Sequence, residues 1–102
     1  MLAPTPSQVR EALRAVIDPE IGVNVVDLGL VYAVEVRDGD VRVALTMTTA
    51  ACPLGESICD EAERTIRAGV PGVRSVAVGL VWDPPWQPSM MSAAARERLG
   101  WT

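Results

Sequence analysis

The segment "MTTAACPLGESIC", residues 47–59, carries both cysteines of the chain. Cys52 is followed by Pro53, and an amphipathic stretch begins there. With Cys52 as N-cap and Pro53 at the first helical position, where proline is favoured, the first-turn amides and the helix dipole would stabilise a thiolate. Its pKa would then fall below the free value of about 8.5, as it does for reactive cysteines. The alternative reading makes Cys52 a small buried residue and leaves the structural work to Pro53. Cys59 lies seven positions on, about 10 Å along a helix axis. Disulfide Cα atoms lie within about 7 Å, so the helix separates the two thiols. Cys59 flanks Ile58 and Ala62, which assigns it to core packing.

One thiol does not complete a four-cysteine zinc or iron–sulfur site. If Cys52 ligates metal, the remaining ligands come from carboxylates, from a second copy of the chain or from a partner protein. The oxygens within reach of such a role are Asp18 and Glu20 in the first loop, and Thr48 and Thr49 just ahead of Cys52. Each has a structural reading too: Asp18 as the turn residue before Pro19, the threonines as strand residues whose hydroxyls satisfy nearby backbone. Asp27, in "VVDLGLVY", reads as an Asx-type turn residue.

What is missing narrows the chemistry further. All nine basic residues are arginine, and the chain has no histidine. Lysine Schiff-base chemistry and every Ser-His or Cys-His arrangement are thereby excluded. With no histidine and no resolving cysteine nearby, a thiol peroxidase or transferase is disfavoured, and the chain reads as a non-enzyme. The net charge of −4, with the arginines scattered, argues against nucleic-acid binding. The N-terminus lacks a signal-peptide pattern, and no apolar run approaches the ~20 residues of a membrane span. The expectation is a cytoplasmic protein with reduced thiols.

The elements that must position these residues fit one domain, 1–102, about half hydrophobic. Residues 1–6 read as a loose tail. "PSQVREALRAVID" follows as a helix capped by Ser7, with Val9, Leu13, Val16 and Ile17 as its apolar stripe. Asp18-Pro19 ends it. "LVYAVEVRDGDVRVALTMT" reads as a β-hairpin around Asp38-Gly39, with Val31 and Ala33 in the first run and Val41, Val43 and Leu45 in the second. "CPLGESICDEAERTIRAG" is the second helix, with Leu54, Ile58, Ala62 and Ile66 at i+4 spacing. "VRSVAVGLVW" is a third strand. Residues 83–102 form a Pro/Trp/Met-rich extension with a short last helix capped by Ser89 or Ser92. Trp82 is expected to pack, and Trp86 to pack or to meet a partner. The fold class is α+β: a two-layer α-β-β-α-β domain. Its small three-stranded mixed sheet carries the helices on one face, and the crossover into the third strand should be right-handed.

"DPEIGVNVVDLGLVY", "LTMTTAACPLG" and "VGLVWDPPWQPSMMSAAARERLG" together resemble the metal-sulfur (iron–sulfur) cluster assembly factor family, which includes SufT-like proteins and the N-terminal part of PaaD. The resemblance covers nearly the whole chain. It implies a non-enzymatic accessory role in assembling iron–sulfur clusters or delivering them to apo-proteins. The family's motif cysteine falls on Cys52, its acidic loop positions on Asp18 and Glu20, and its hydroxyl positions on Thr48 and Thr49. It implies a transient iron–sulfur cluster or iron as cargo, with assembly machinery and apo-protein clients as partners and a homodimer as one way to complete the ligands. The other reading is a metal-free adaptor whose contact surface is the tryptophan-rich tail. PaaD's cysteine-rich extension is missing, which argues against a role in oxygenase maturation.

Overall fold

The structure, a computed structural model, describes residues 4–48 and 54–100. Helix α1 spans Pro6–Leu13. The ribbon β1 (Ile17–Asp18) and β2 (Val23–Asn24) follows, then β3 (Val31–Arg37), β4 (Asp40–Leu45), α2 (Gly55–Gly69), β5 (Ser75–Leu80) and α3 (Ala93–Leu99). A single 3-10 turn covers Pro88–Met90. The main sheet has the order β3-β4-β5, antiparallel between β3 and β4 and parallel between β4 and β5, with α2 as the crossover. Helix α1 packs on α2 and β3, and α2 packs on β5, so both helices cover the same face. The small α+β domain with a mixed three-stranded sheet and a short last helix is the fold read from the sequence.

The hairpin forms where its turn chemistry demands. Asp38 and Gly39 both adopt positive φ, 52° and 85°, as a two-residue turn matched to strand twist requires. Pairing across β3, β4 and β5 sets three inward rows: Val36–Val41–Val76, Val34–Val43–Val78 and Val31–Leu45–Leu80. These meet Val9 and Leu13 of α1 and Ile58, Ala62 and Ile66 of α2 in one core. Tyr32 is an extra residue in β3, because Val31 pairs with Leu45 while Ala33 already pairs with Ala44. This bulge flips the alternation. Ala33, expected inward with Val31, is exposed, and Val34 and Val36 take the core side.

Three boundaries differ from expectation. Thr5, not Ser7, caps α1: its hydroxyl accepts from the Gln8 amide and the Gln8 side chain accepts from the Thr5 amide, with Pro6 opening the helix. Pro4 is buried and Pro6 is helical, so residues 4–6 do not belong to a loose tail, and residues 1–3 lie outside the described residues. Helix α1 stops at Leu13, and Ile17 enters β1, 44% exposed, instead of continuing the apolar stripe. Helix α2 begins at Gly55 with Leu54 at its N-cap, and Cys52 and Pro53, expected as cap and first residue, lie outside the described residues. Packing sets that start: a Cβ on Gly55 would come within 3.0 Å of Leu80 Cδ1 and 3.6 Å of Met47 Cγ.

The C-terminal extension folds back. Trp86 donates its indole N–H to the Leu28 carbonyl at 2.7 Å, and Met91 and Ala95 join the core. Trp82, expected to pack, is 45% exposed. Ser92 caps α3 through the Ala95 amide, and Gly100 closes it in the left-handed conformation.

Candidate functional site

Asp18 occupies the second position of β1 and is 3% exposed. A carboxylate removed from water needs donors. One Asp18 oxygen accepts the Glu20 amide at 2.9 Å, and the Asp18 carbonyl accepts the amides of Ile21 and Gly22. This Asx turn closes the β1–β2 ribbon, with Gly22 at φ 80° supplying the left-handed residue. Glu20 sits on the turn with its side chain in solvent. The Asp18 carboxylate therefore shapes the loop, and Glu20 is the acid that loop presents outward.

Thr46 and Thr48 leave the end of β4, Thr46 buried and Thr48 half-buried. Thr49 and Cys52 lie outside the described residues. What the structure brings together is the frame. The Val25 amide bonds the Val16 carbonyl, the Leu30 amide the Val25 carbonyl, and the Thr46 amide the Leu30 carbonyl, at 3.0, 3.0 and 2.8 Å. These three bonds link the residue two before Asp18 to the residue two before Thr48. The Asp18 turn and the exit of β4 at Thr46 thus belong to one hydrogen-bonded layer.

Asp27 is the hub that sequence reasoning underrated. Its carboxylate accepts Asn24 Nδ2 at 2.8 Å and Arg14 NH1 at 3.1 Å, while its amide donates to Asn24 Oδ1. Its carbonyl accepts the Ser92 amide at 2.8 Å. The Asn24 hydrogen bond, helped by Arg14, holds its carboxyl below the usual 3.8. The expected Asx-type turn is made by Asn24, whose side chain accepts the Asp27 amide, while the Asp27 carboxylate takes side-chain donors. The link from Asp27 to Ser92, at the N-cap of α3, left no local signal. Tyr32, the bulge residue, donates its hydroxyl to the Pro84 carbonyl at 2.7 Å. Hydroxyl and carbonyl so far apart in sequence leave no local signal.

Cys59 is half-buried against the core, as its position beside Ile58 suggested. Burial, then the Asp60 and Glu56 charges, push its thiol above the ordinary 9.0. A raised pKa leaves little thiolate at neutral pH, which suits packing and not ligation. Among the described residues no three of His, Cys, Asp and Glu form a metal-binding group, and no helix is long and apolar enough to cross a membrane.

An α1-β-β-α2-β frame with the Asp18 turn tied to the exit end of β4 defines the class. Residues 6–79 match the model of the family described as iron-sulfur cluster assembly protein, and the chain belongs to that family. It is 45% identical over 86 residues to the Fe-S protein maturation auxiliary factor SufT of Staphylococcus aureus, covering 83% of this chain and 97% of the other. It is 43% identical over 90 residues to the Fe-S protein maturation auxiliary factor YitW of Bacillus subtilis, covering 87% of each. Its fold superposes on a domain of unknown function, DUF59, from Bacillus anthracis with a TM-score of 0.91 at 37% identity, over 95% of this chain and 92% of that one.

Proposed function

We propose that this protein is a non-enzymatic cytoplasmic accessory factor in iron–sulfur cluster assembly, and that Cys52 holds or relays a cluster, iron or a client's thiol. Its family and its relatives, which are named maturation auxiliary factors, support the general role. The observation that carries the finer reading is the layer joining the Asp18 turn to the exit of β4. No more than about 7 Å of backbone separates Cys52 from Leu54, the N-cap of α2. Leu54 has no side-chain acceptor to offer, so the first-turn amides of α2 and their positive field are uncapped by it. That field favours a thiolate or an anionic cluster close by, without Cys52 being the cap itself. Glu20, Thr48 and Thr49 are oxygen donors for iron or for the approach of a partner, and Asp18 keeps the loop shaped. With one site thiol per chain, any cluster draws its remaining ligands from a client, a carrier or a second copy.

The exposed Trp82 favours a second reading, a metal-free adaptor that docks machinery onto clients. Complementation separates the two. In cells lacking the protein, the activity of iron–sulfur enzymes should return with the parent and not with Cys52→Ser. Full rescue by Cys52→Ser together with failure of Trp82→Ala would overturn the thiol reading in favour of the adaptor.

A further inference from the structure

Among the described residues, α1 and α2 cover one face of the main sheet and leave the other exposed. Strand pairing divides the bare face into three outward rows: Arg37–Asp40–Ser75, Glu35–Arg42–Ala77 and Ala33–Ala44–Gly79. A Cβ added at Gly79 would meet nothing within 4 Å, so that end of the face is open space. Glu35 and Arg42 are exposed and, among the described residues, neither joins an ion pair.

The pattern on β3 and β4 is complementary to itself. Rotating a second copy by 180° about an axis parallel to the strands, midway between β3 and β4, lays each β3 residue over the β4 residue it pairs with in its own chain. Arg37 then faces Asp40 of the second copy, Glu35 faces Arg42, and Ala33 faces Ala44. Two contacts join opposite charges and the third joins small side chains that let the sheets approach. An axis across the strands through the Glu35–Arg42 row would set like charges together, and one between that row and the Arg37–Asp40 row would pair opposite charges but lose the Ala33–Ala44 contact. Asp40 is already held by Arg74 and Ser75, so the Glu35–Arg42 contacts carry most of the attraction.

The geometry points to the bare face of the β3–β4 hairpin as a docking surface for a second copy of this chain, with Glu35 of each copy against Arg42 of the other. Face-to-face sheets pack about 10 Å apart, and a two-strand face is small for an interface. The dimer is therefore weak and weakened by salt. Because the axis is parallel to the strands, β4 runs the same way in both copies and both β4–α2 connections lie at one end of the pair. Resting on the reading of Cys52 above, such a dimer carries two copies of that thiol. The surface itself does not depend on that reading.

Sedimentation of the iron-free full chain, from about 10 µM to about 1 mM, at low and high salt, tests the surface directly. The parent should dimerise at low salt. Glu35→Arg and Arg42→Glu should each weaken self-association roughly tenfold or more, and an equimolar mixture of the two should restore it. The double reversal Glu35→Arg/Arg42→Glu restores the cross-strand pair within its own chain, which protects its fold. It should dimerise as the parent does, yet form no mixed dimer with the parent. A parent that stays monomeric throughout, or a dimer indifferent to both single reversals, or free mixing of parent with the double reversal, would overturn the assignment. These outcomes read association alone, so they are separable from any failure of Cys52 to bind iron.

Discussion

The indole N–H of Trp86 donates to the Leu28 carbonyl across 58 residues of sequence, at 2.7 Å. With Tyr32–Pro84 and Ser92–Asp27 it straps the C-terminal extension over the loop that links β2 to β3. Trp86→Phe keeps the ring and loses the donor, leaving the Leu28 carbonyl short of a partner, and should cost about 1 kcal/mol in urea unfolding. Gly29→Ala should cost more, about 2–4 kcal/mol. Gly29 has φ 75°, and a Cβ there would run into the Met90 carbonyl, so the strap must lift. A Gly29→Ala protein as stable as the parent would refute the strap's packing.

Asp27 joins α1, β2 and the start of α3, and Asp27→Ala should lose about 1–3 kcal/mol at neutral pH. Its folded pKa lies below the unfolded 3.8. The charged form is the one the fold favours, so its contribution is fully present above about 3.8 and fades as pH falls through the lower folded value. Unfolding midpoints of parent and Asp27→Asn should therefore differ at pH 7 and converge only below about pH 4. A gap that narrows near pH 6 would mean a different group is responsible.

Much of this frame was legible in the sequence, for physical reasons. Asp38-Gly39 between alternating runs leaves few turns to choose from, and Ser92 before three alanines is a strong cap. The thr-pro-ser-gln pattern of a capping box at Thr5 was also there to be read. The phase of β3 was not: a bulge at Tyr32 is invisible to periodicity, which assumes one residue per step. Trp82 and Trp86 are chemically alike, and only a carbonyl 58 residues away decides which one is held. At the site, local pattern let Thr48 leave the second hairpin strand, as it does, but put Asp18 in a loop where the short strand β1 lies. It missed the start of α2, which falls at Gly55, where Leu80 and Met47 pack close.

The Arg74 fork on Asp40, with Nε at 3.0 Å and NH2 at 2.6 Å and the Ser75 hydroxyl alongside, lowers the Asp40 pKa to about 2. The pair is exposed, so its stabilisation is small and screened by salt. Its sign is still testable. Asp40→Asn should lower the unfolding midpoint slightly above pH 4, with the difference vanishing between pH 3.8 and about 2. An effect that persists unchanged at pH 2 would contradict the ion pair as its source.

Trp82 should be dispensable for folding. Being 45% exposed, its replacement by alanine should change stability by no more than about 0.5 kcal/mol. If a client contacts it, Trp82→Ala should still lower iron–sulfur enzyme activity in cells at unchanged protein level. Loss of soluble protein would show instead that Trp82 is part of the core.

The central claim is that Cys52 is the thiol through which this protein handles clusters, and anaerobic reconstitution with iron and sulfide measures it most directly. Iron and sulfide retained per chain after desalting should fall to background for Cys52→Ser. Cys59→Ser, which replaces a half-buried thiol with a raised pKa, should retain as much as the parent. Equal retention by Cys52→Ser and the parent would contradict the account.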